Sequence, residues 1–135
     1  PVTVHVSLGA DVIHMHPSCD GAATGATTHR DFRLLVSILQ DLGDGGVYFN
    51  VGSAVILPEV FLKALTLARN LKGEVDNFTT VNMDFRELYR PYQNVVLRPT
   101  ARGGKGYSLI GHHEILLPVL WSLIVEGMPA DRRVE

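Results

Sequence analysis

The chain has 135 residues, 46% hydrophobic and 19% charged, with a formal net charge of −2. One domain of that length can bury a real core. The composition is that of a globular and not a disordered chain and leaves no basic block for nucleic acid or an anionic membrane. A single cysteine, Cys19, excludes an internal disulfide and fits the reducing cytoplasm.

The chain opens at Pro1 directly on VTVHV, where Val2, Val4 and Val6 alternate with polar residues and predict a first strand. A chain starting inside a strand is expected to be a piece of something longer. Ser7 to Asp11 form a turn, and Val12 to Met15 a second short apolar run. His16 to Thr28 is rich in small residues and predicts a loop, the longest non-periodic segment and so a candidate site loop. Thr28 with Asp31 approximates a capping box, opening a helix whose stripe is Phe32, Leu35, Val36, Leu39 and Leu42. Gly43 to Gly46 end it.

The organising stretch is Gly45 to Leu71. Val47, Tyr48, Phe49 and Val51 are nearly uninterrupted β-formers, which predicts a central strand covered on both faces. Gly52, Ser53 and Ala54 are small enough for another molecule to approach the backbone. After Pro58 in a first helical turn, Phe61, Ala64, Leu65, Ala68 and Leu71 recur at helical spacing. Ligands of open α/β sheets collect beyond the carboxyl ends of the strands, so the binding site is expected at this corner.

Asn77 to Phe85 predicts another strand, and Pro91 is expected to stop any helix around it. Asn94 to Leu97 predicts a further strand, and RGGKG at 102–106 a flexible loop without P-loop spacing. Glu114 to Glu126 is apolar nearly all round, which predicts a helix buried against several neighbours, kinked or started by Pro118. The apolar run Ile115 to Val125 is too short to span a bilayer. Strands alternating with helices imply a mostly parallel α/β sheet with helices on both faces.

Several side chains have chemistry. His14, His16, His113 and Glu114 offer nitrogen and carboxylate ligands for zinc and so a metal-dependent hydrolase, although H-x-H arises by chance and chance is the favoured reading. Asp11 and Asp20 stand in turns where an acid holds a ribose hydroxyl or an amine, or simply caps the turn. Cys19 has His16 or His29 as a prospective base, but an inert thiol is the better reading. His16 and His112 are the acid–base candidates, histidine being poised to exchange protons near neutral pH.

In order, PVTVHVSLGADVIHMH, THRDFRLLVSIL, GGVYFNVGSAVILPEVFLKALTLARNL and HHEILLPVLWSLI resemble the C-terminal part of the deoxyhypusine synthase-like proteins. The resemblance implies a single Rossmann-like domain over residues 1–135, the C-terminal part of a longer family chain, that binds NAD. It places Asn50, Gly52 and Ser53 beside the dinucleotide and Asn82 near its nicotinamide half. It gives Asp11, with Asp20, to a small polar substrate that is possibly an amine. The departures are specific. No lysine lies between Thr79 and Thr100, and Lys105 stands outside the family's tryptophan-containing motif, so the imine-forming nucleophile is missing. Leu57, Pro58 and Glu59 stand where the family has a histidine. The resemblance therefore implies a cytoplasmic homo-oligomer in which NAD serves amine or alcohol chemistry without a lysine imine. A non-catalytic fragment or subunit-interaction domain is the remaining expectation, since the last helix suits a subunit contact as well as a core.

Overall fold

A computed structural model describes residues 1–129. A 3-10 turn, Val12–Met15, precedes α1, Gly21–Leu39; β1, Val47–Val51, leads into α2, Ile56–Lys72, and then β2, Thr79–Asp84. A short helix α3, Tyr89–Pro91, runs on into a π-helical segment, Tyr92–Leu97; β3, Lys105–Ile110, and α4, His113–Gly127, complete the order. The three strands are all parallel in the order β1-β2-β3, with Asn50 opposite Asn82 and Asn82 opposite Ser108. The α/β class and parallel sheet agree with the sequence expectation. Helices on both faces do not: α1, α2 and the π-helical segment form one layer, and their core is Val36, Leu39, Phe61, Ala64, Leu65, Ala68, Val75, Phe78 and Val95.

α2 is the element the sequence described best, with Phe61, Ala64, Leu65 and Ala68 buried, although Leu71 is exposed. The Phe61 ring stacks on Tyr48 of β1 at 3.6 Å between centroids and 6° between planes, which joins helix to sheet. Burial pushes the Tyr48 phenol from 10.0 up to about 12. A raised acid pKa means the neutral phenol is the form the fold accepts. Stability from this group is therefore complete below about pH 10 and is lost as pH rises towards 12. We expect the urea midpoint to fall across that window and Tyr48→Phe to flatten the fall; an unchanged alkaline limb in Tyr48→Phe would refute it.

β1 lies where expected but is an edge strand, with β2 in the middle. Tyr48 and Asn50 face the helices, whereas Val47, Phe49 and Val51 point to the other side and are exposed. With Tyr107 and Leu109 of β3, also exposed, they give that face of the sheet exposed apolar flanks on either side of Val81 and Met83, which are buried.

Four other expectations are corrected. Residues 2–6 are not a strand: the Val4 N–H donates to Asp31 Oδ2 at 2.7 Å and the Val6 N–H to Thr28 Oγ1 at 2.9 Å, so side chains of α1 take the donors a ladder would use. Much of His16 to Thr28 is helix, because Asp20 caps it first, its Oδ1 accepting from Ala22 N at 2.8 Å and Ala23 N at 3.1 Å. Such a cap is worth about 1 kcal/mol, and Gly21 to Ala23 are no obstacle to a helix behind it. Asn94 to Leu97 is π-helical instead of extended. Pro91 stands in a first turn, where its missing N–H costs nothing, and Val95 O accepts from Thr80 Oγ1 at 2.6 Å, tying the segment to β2. A Cβ on Gly106 would lie 2.2 Å from Val96 O, so only glycine lets β3 approach this segment.

β3 itself was not anticipated, because RGGKG masks its start; the Lys105 N–H joins the sheet through Phe78 O at 3.0 Å. The last correction is α4. It is helical with Pro118 inside it, yet none of its residues is buried, and Ile115, Leu117, Val119, Trp121 and Leu123 are exposed.

Candidate functional site

The carboxyl ends of three parallel strands meet at Val51, Asp84 and Ile110. Gly52 leaves β1 at φ +66°, a left-handed conformation that favours glycine, and its N–H donates to Met83 O at 2.9 Å. Ser53 Oγ then accepts the Leu57 N–H at 3.3 Å, which ties the turn to the first residues of α2. Beneath this turn lies a polar row that a sheet core normally avoids. Asn50 and Asn82 are 2% and 0% exposed, and Asn50 Nδ2 donates to Asn82 Oδ1 at 2.8 Å and to Ser53 O at 2.9 Å.

The row is incompletely satisfied. Asn50 Oδ1, Asn82 Nδ2 and Ser108 Oγ are buried without a hydrogen-bond partner among the described residues. Each such group costs about 1–3 kcal/mol if nothing pairs with it, so three in one register row call for a guest, either water or a ligand. One acceptor, one donor and one hydroxyl can meet a neutral polar group; none of the three is charged. Asp84, 3% exposed, lies at the end of β2 and its Oδ1 accepts the Phe85 N–H at 2.8 Å.

The π-helical segment packs on the same face of the sheet, at Thr80 and Gly106. Asn94 Nδ2 donates to Glu59 Oε1 at 2.7 Å, so the start of α2 and this segment are cross-linked. A hydrogen bond from Lys63 holds the Glu59 carboxyl below its usual range, with Arg90 and Asn94 adding to it and desolvation opposing. Glu59 is thereby a structural tie and not a free base.

The other sequence candidates lie at the amino-terminal end. His16, Asp20 and Cys19 line one open groove of ≈ 680 Å³ together with Val6, Val12 and Thr24. No strand residue and neither Gly52 nor Ser53 lines it, so His16 does not share this groove with the expected cofactor residues. Asp20 Oδ1 is engaged in capping α1, and Asp11 Oδ2 accepts the Ser7 N–H. His16 Nδ1 accepts from Ser18 N and lies 2.7 Å from Ser18 Oγ. Cys19 is paired with neither His16 nor His29; its Sγ lies 3.6 Å from His14 Nδ1, and His14 Nε2 is 3.4 Å from Ser7 O.

His112 is the N-cap of α4 and exposed, while His113 turns inward to Met83 O at 3.1 Å. Among the described residues no three His, Cys, Asp or Glu side chains are grouped to hold a metal ion, so His14, His16, His113 and Glu114 are not brought together. Sequence reasoning missed Ser108, which it had no strand to place on. It named His113 as a zinc ligand and not for its contact with Met83 O, because adjacent His112 and His113 carry the same chemistry and only the start of the helix separates them.

No family model matches the chain, and no curated protein or solved structure is significantly similar to it. No helix among the described residues is long and apolar enough to cross a membrane.

Proposed function

We propose that this chain is an NAD-binding, Rossmann-like domain of the deoxyhypusine synthase-like type, acting in the cytoplasm on a small polar substrate without a lysine imine. The observation that carries the reading is the row of unpaired buried atoms, Asn50 Oδ1, Asn82 Nδ2 and Ser108 Oγ, at the carboxyl end of a parallel sheet. An acceptor and a donor side by side suit a carboxamide, and the glycine turn beside them suits close backbone approach. In this reading Asn50 and Asn82 hold the cofactor's amide end and Gly52 and Ser53 border its phosphates. The fit is partial, because the space over Gly52 is filled by His113.

NAD, when bound, supplies a hydride acceptor; the protein supplies orientation and exchanges a proton. His16 or His112 is the proposed acid–base group, and Asp11 with Asp20 the proposed anionic anchor for an amine. Calorimetric titration with NAD tests the reading. We expect Asn82→Val to weaken NAD binding at least about tenfold, in line with about 1.4 kcal/mol for one lost hydrogen bond in a dry site. Equal heats from the parent chain and the variant would remove the claim.

A subunit-association role is supported by a separate observation, the exposed apolar side chains of Val47, Phe49, Val51, Tyr107 and Leu109 on the two outer strands and those of α4. Contiguous exposed patches of this kind mark interaction surfaces more often than chance. The homo-oligomer proposed here predicts a sedimentation coefficient above that of a monomer, lowered by Phe49→Lys. A clean monomer would count against it.

A further inference from the structure

The corner at the end of β1 is closed by one side chain. A Cβ built on Gly52 would lie 3.2 Å from His113 Cε1, so this glycine makes room for an imidazole. His113 Nε2 is 3.1 Å from Met83 O, the same carbonyl that accepts the Gly52 N–H at 2.9 Å. A carbonyl oxygen only accepts, so Nε2 bears the hydrogen in this contact and Nδ1 is its bare partner in the neutral ring. The ring thus covers the last rung between β1 and β2, at the mouth of the crevice where an open parallel sheet receives its ligand.

The helix that delivers the ring is lightly held. No residue of α4 is buried, and Trp121 is 68% exposed. The Leu116 side chain packs on Gly111 in the link from β3, where a built Cβ would lie 3.3 Å from Leu116 Cδ1. A ring fixed by one shared carbonyl, on a helix with no buried face, is suited to leave without unfolding the core.

We infer that His113 is an internal plug: its imidazole occupies the place over Gly52 that the phosphates of a bound nucleotide take, and ligand entry swings the first turn of α4 away. The inference rests on the nucleotide reading above. The plugged state lowers apparent affinity by the fraction of molecules that are open, so a corner open one time in about ten binds about tenfold more weakly than a permanently open one.

The test uses the intact chain, His113→Ala and His113→Phe, with amide hydrogen exchange of α4, anisotropy of Trp121 (the chain's one tryptophan) and calorimetric titration with NAD. Without ligand, His113→Ala is expected to speed exchange in the first turns of α4 about tenfold and to lower Trp121 anisotropy. With NAD, the parent chain is expected to show the same loosening, and His113→Ala to bind about tenfold more tightly. His113→Phe keeps a ring over Gly52 without the Met83 bond, so it is expected to loosen α4 and to bind less tightly than His113→Ala. Unchanged α4 exchange in His113→Ala would overturn the plug, as would NAD binding to the parent chain with α4 unmoved. Weaker NAD binding by His113→Ala would also overturn it, since the ring would then belong to the ligand's own pocket. NAD bound by none of the three, with α4 exchange still raised in His113→Ala, would overturn the NAD reading and leave the His113 latch standing.

Discussion

Phe61→Ala is expected to destabilise the fold by about 3–5 kcal/mol, the range for emptying a buried aromatic site. Phe61 is 0% exposed in the middle of α2, surrounded by the cluster that joins α1, α2 and β1. Its loss removes apolar burial and also the 3.6 Å stack that seats Tyr48. Small domains are stable by only about 5–15 kcal/mol, so this one change takes a large share of the total. Phe61→Leu keeps most of the volume and is expected to cost about half as much, the remainder being the aromatic contact at about 0.5–1.5 kcal/mol and imperfect packing. Urea unfolding with Tyr48→Leu as the second arm of a double-mutant cycle separates these contributions. A Phe61→Ala loss below about 1 kcal/mol would mean that α2 does not pack on β1 as described.

Arg69→Ala is expected to cost about 2–4 kcal/mol, for a different reason: it leaves polar groups behind. Arg69 comes from the last turns of α2 and its side chain is 14% exposed. Its Nε donates to Val75 O at 3.1 Å, and its Nη2 donates to Asp76 Oδ1 at 2.9 Å and to Pro99 O at 2.8 Å. The guanidinium also lies 5.7 Å from the centroid of the Phe78 ring. One side chain thus ties the end of α2 to the segment entering β2 and to the segment leaving the π-helical turn. Alanine strands two carbonyls and one partly buried carboxylate. Arg69→Lys keeps the charge but not the planar fork, so it is expected to recover less than half of the loss. Denaturant midpoints of the two variants check this; a lysine variant equal to the parent would show that charge alone matters.

The sequence made α2 legible because its 3.6-residue stripe, Phe61, Ala64, Leu65 and Ala68, is a local pattern that packing then respects. It placed β1 and β2 for the same kind of reason, through β-branched and aromatic runs. Asn50, Gly52, Ser53 and Asn82 were also legible as a group: the structure gathers the first three at one strand end and adds Asn82 by register. The π-helical segment was not legible, because Val95 and Val96 are good strand residues, and Thr80 and Gly106 on other elements decide that they turn onto the sheet. Asp20 was legible as a capping residue but not as the start of α1, since Thr28 with Asp31 offered an equally regular signal later in the same run; the helix begins at the earlier cap.

By itself the amino-acid order determined the class of fold, its principal helix and two of its strands, because periodicity and turn chemistry are written residue by residue. Which face of the sheet carries the helical layer, that β1 is an edge, and that His113 rests on Gly52 were decided by the tertiary structure alone. Those outcomes depend on which distant segments meet, and Met83 O joins Gly52 and His113 across a separation that no local pattern encodes.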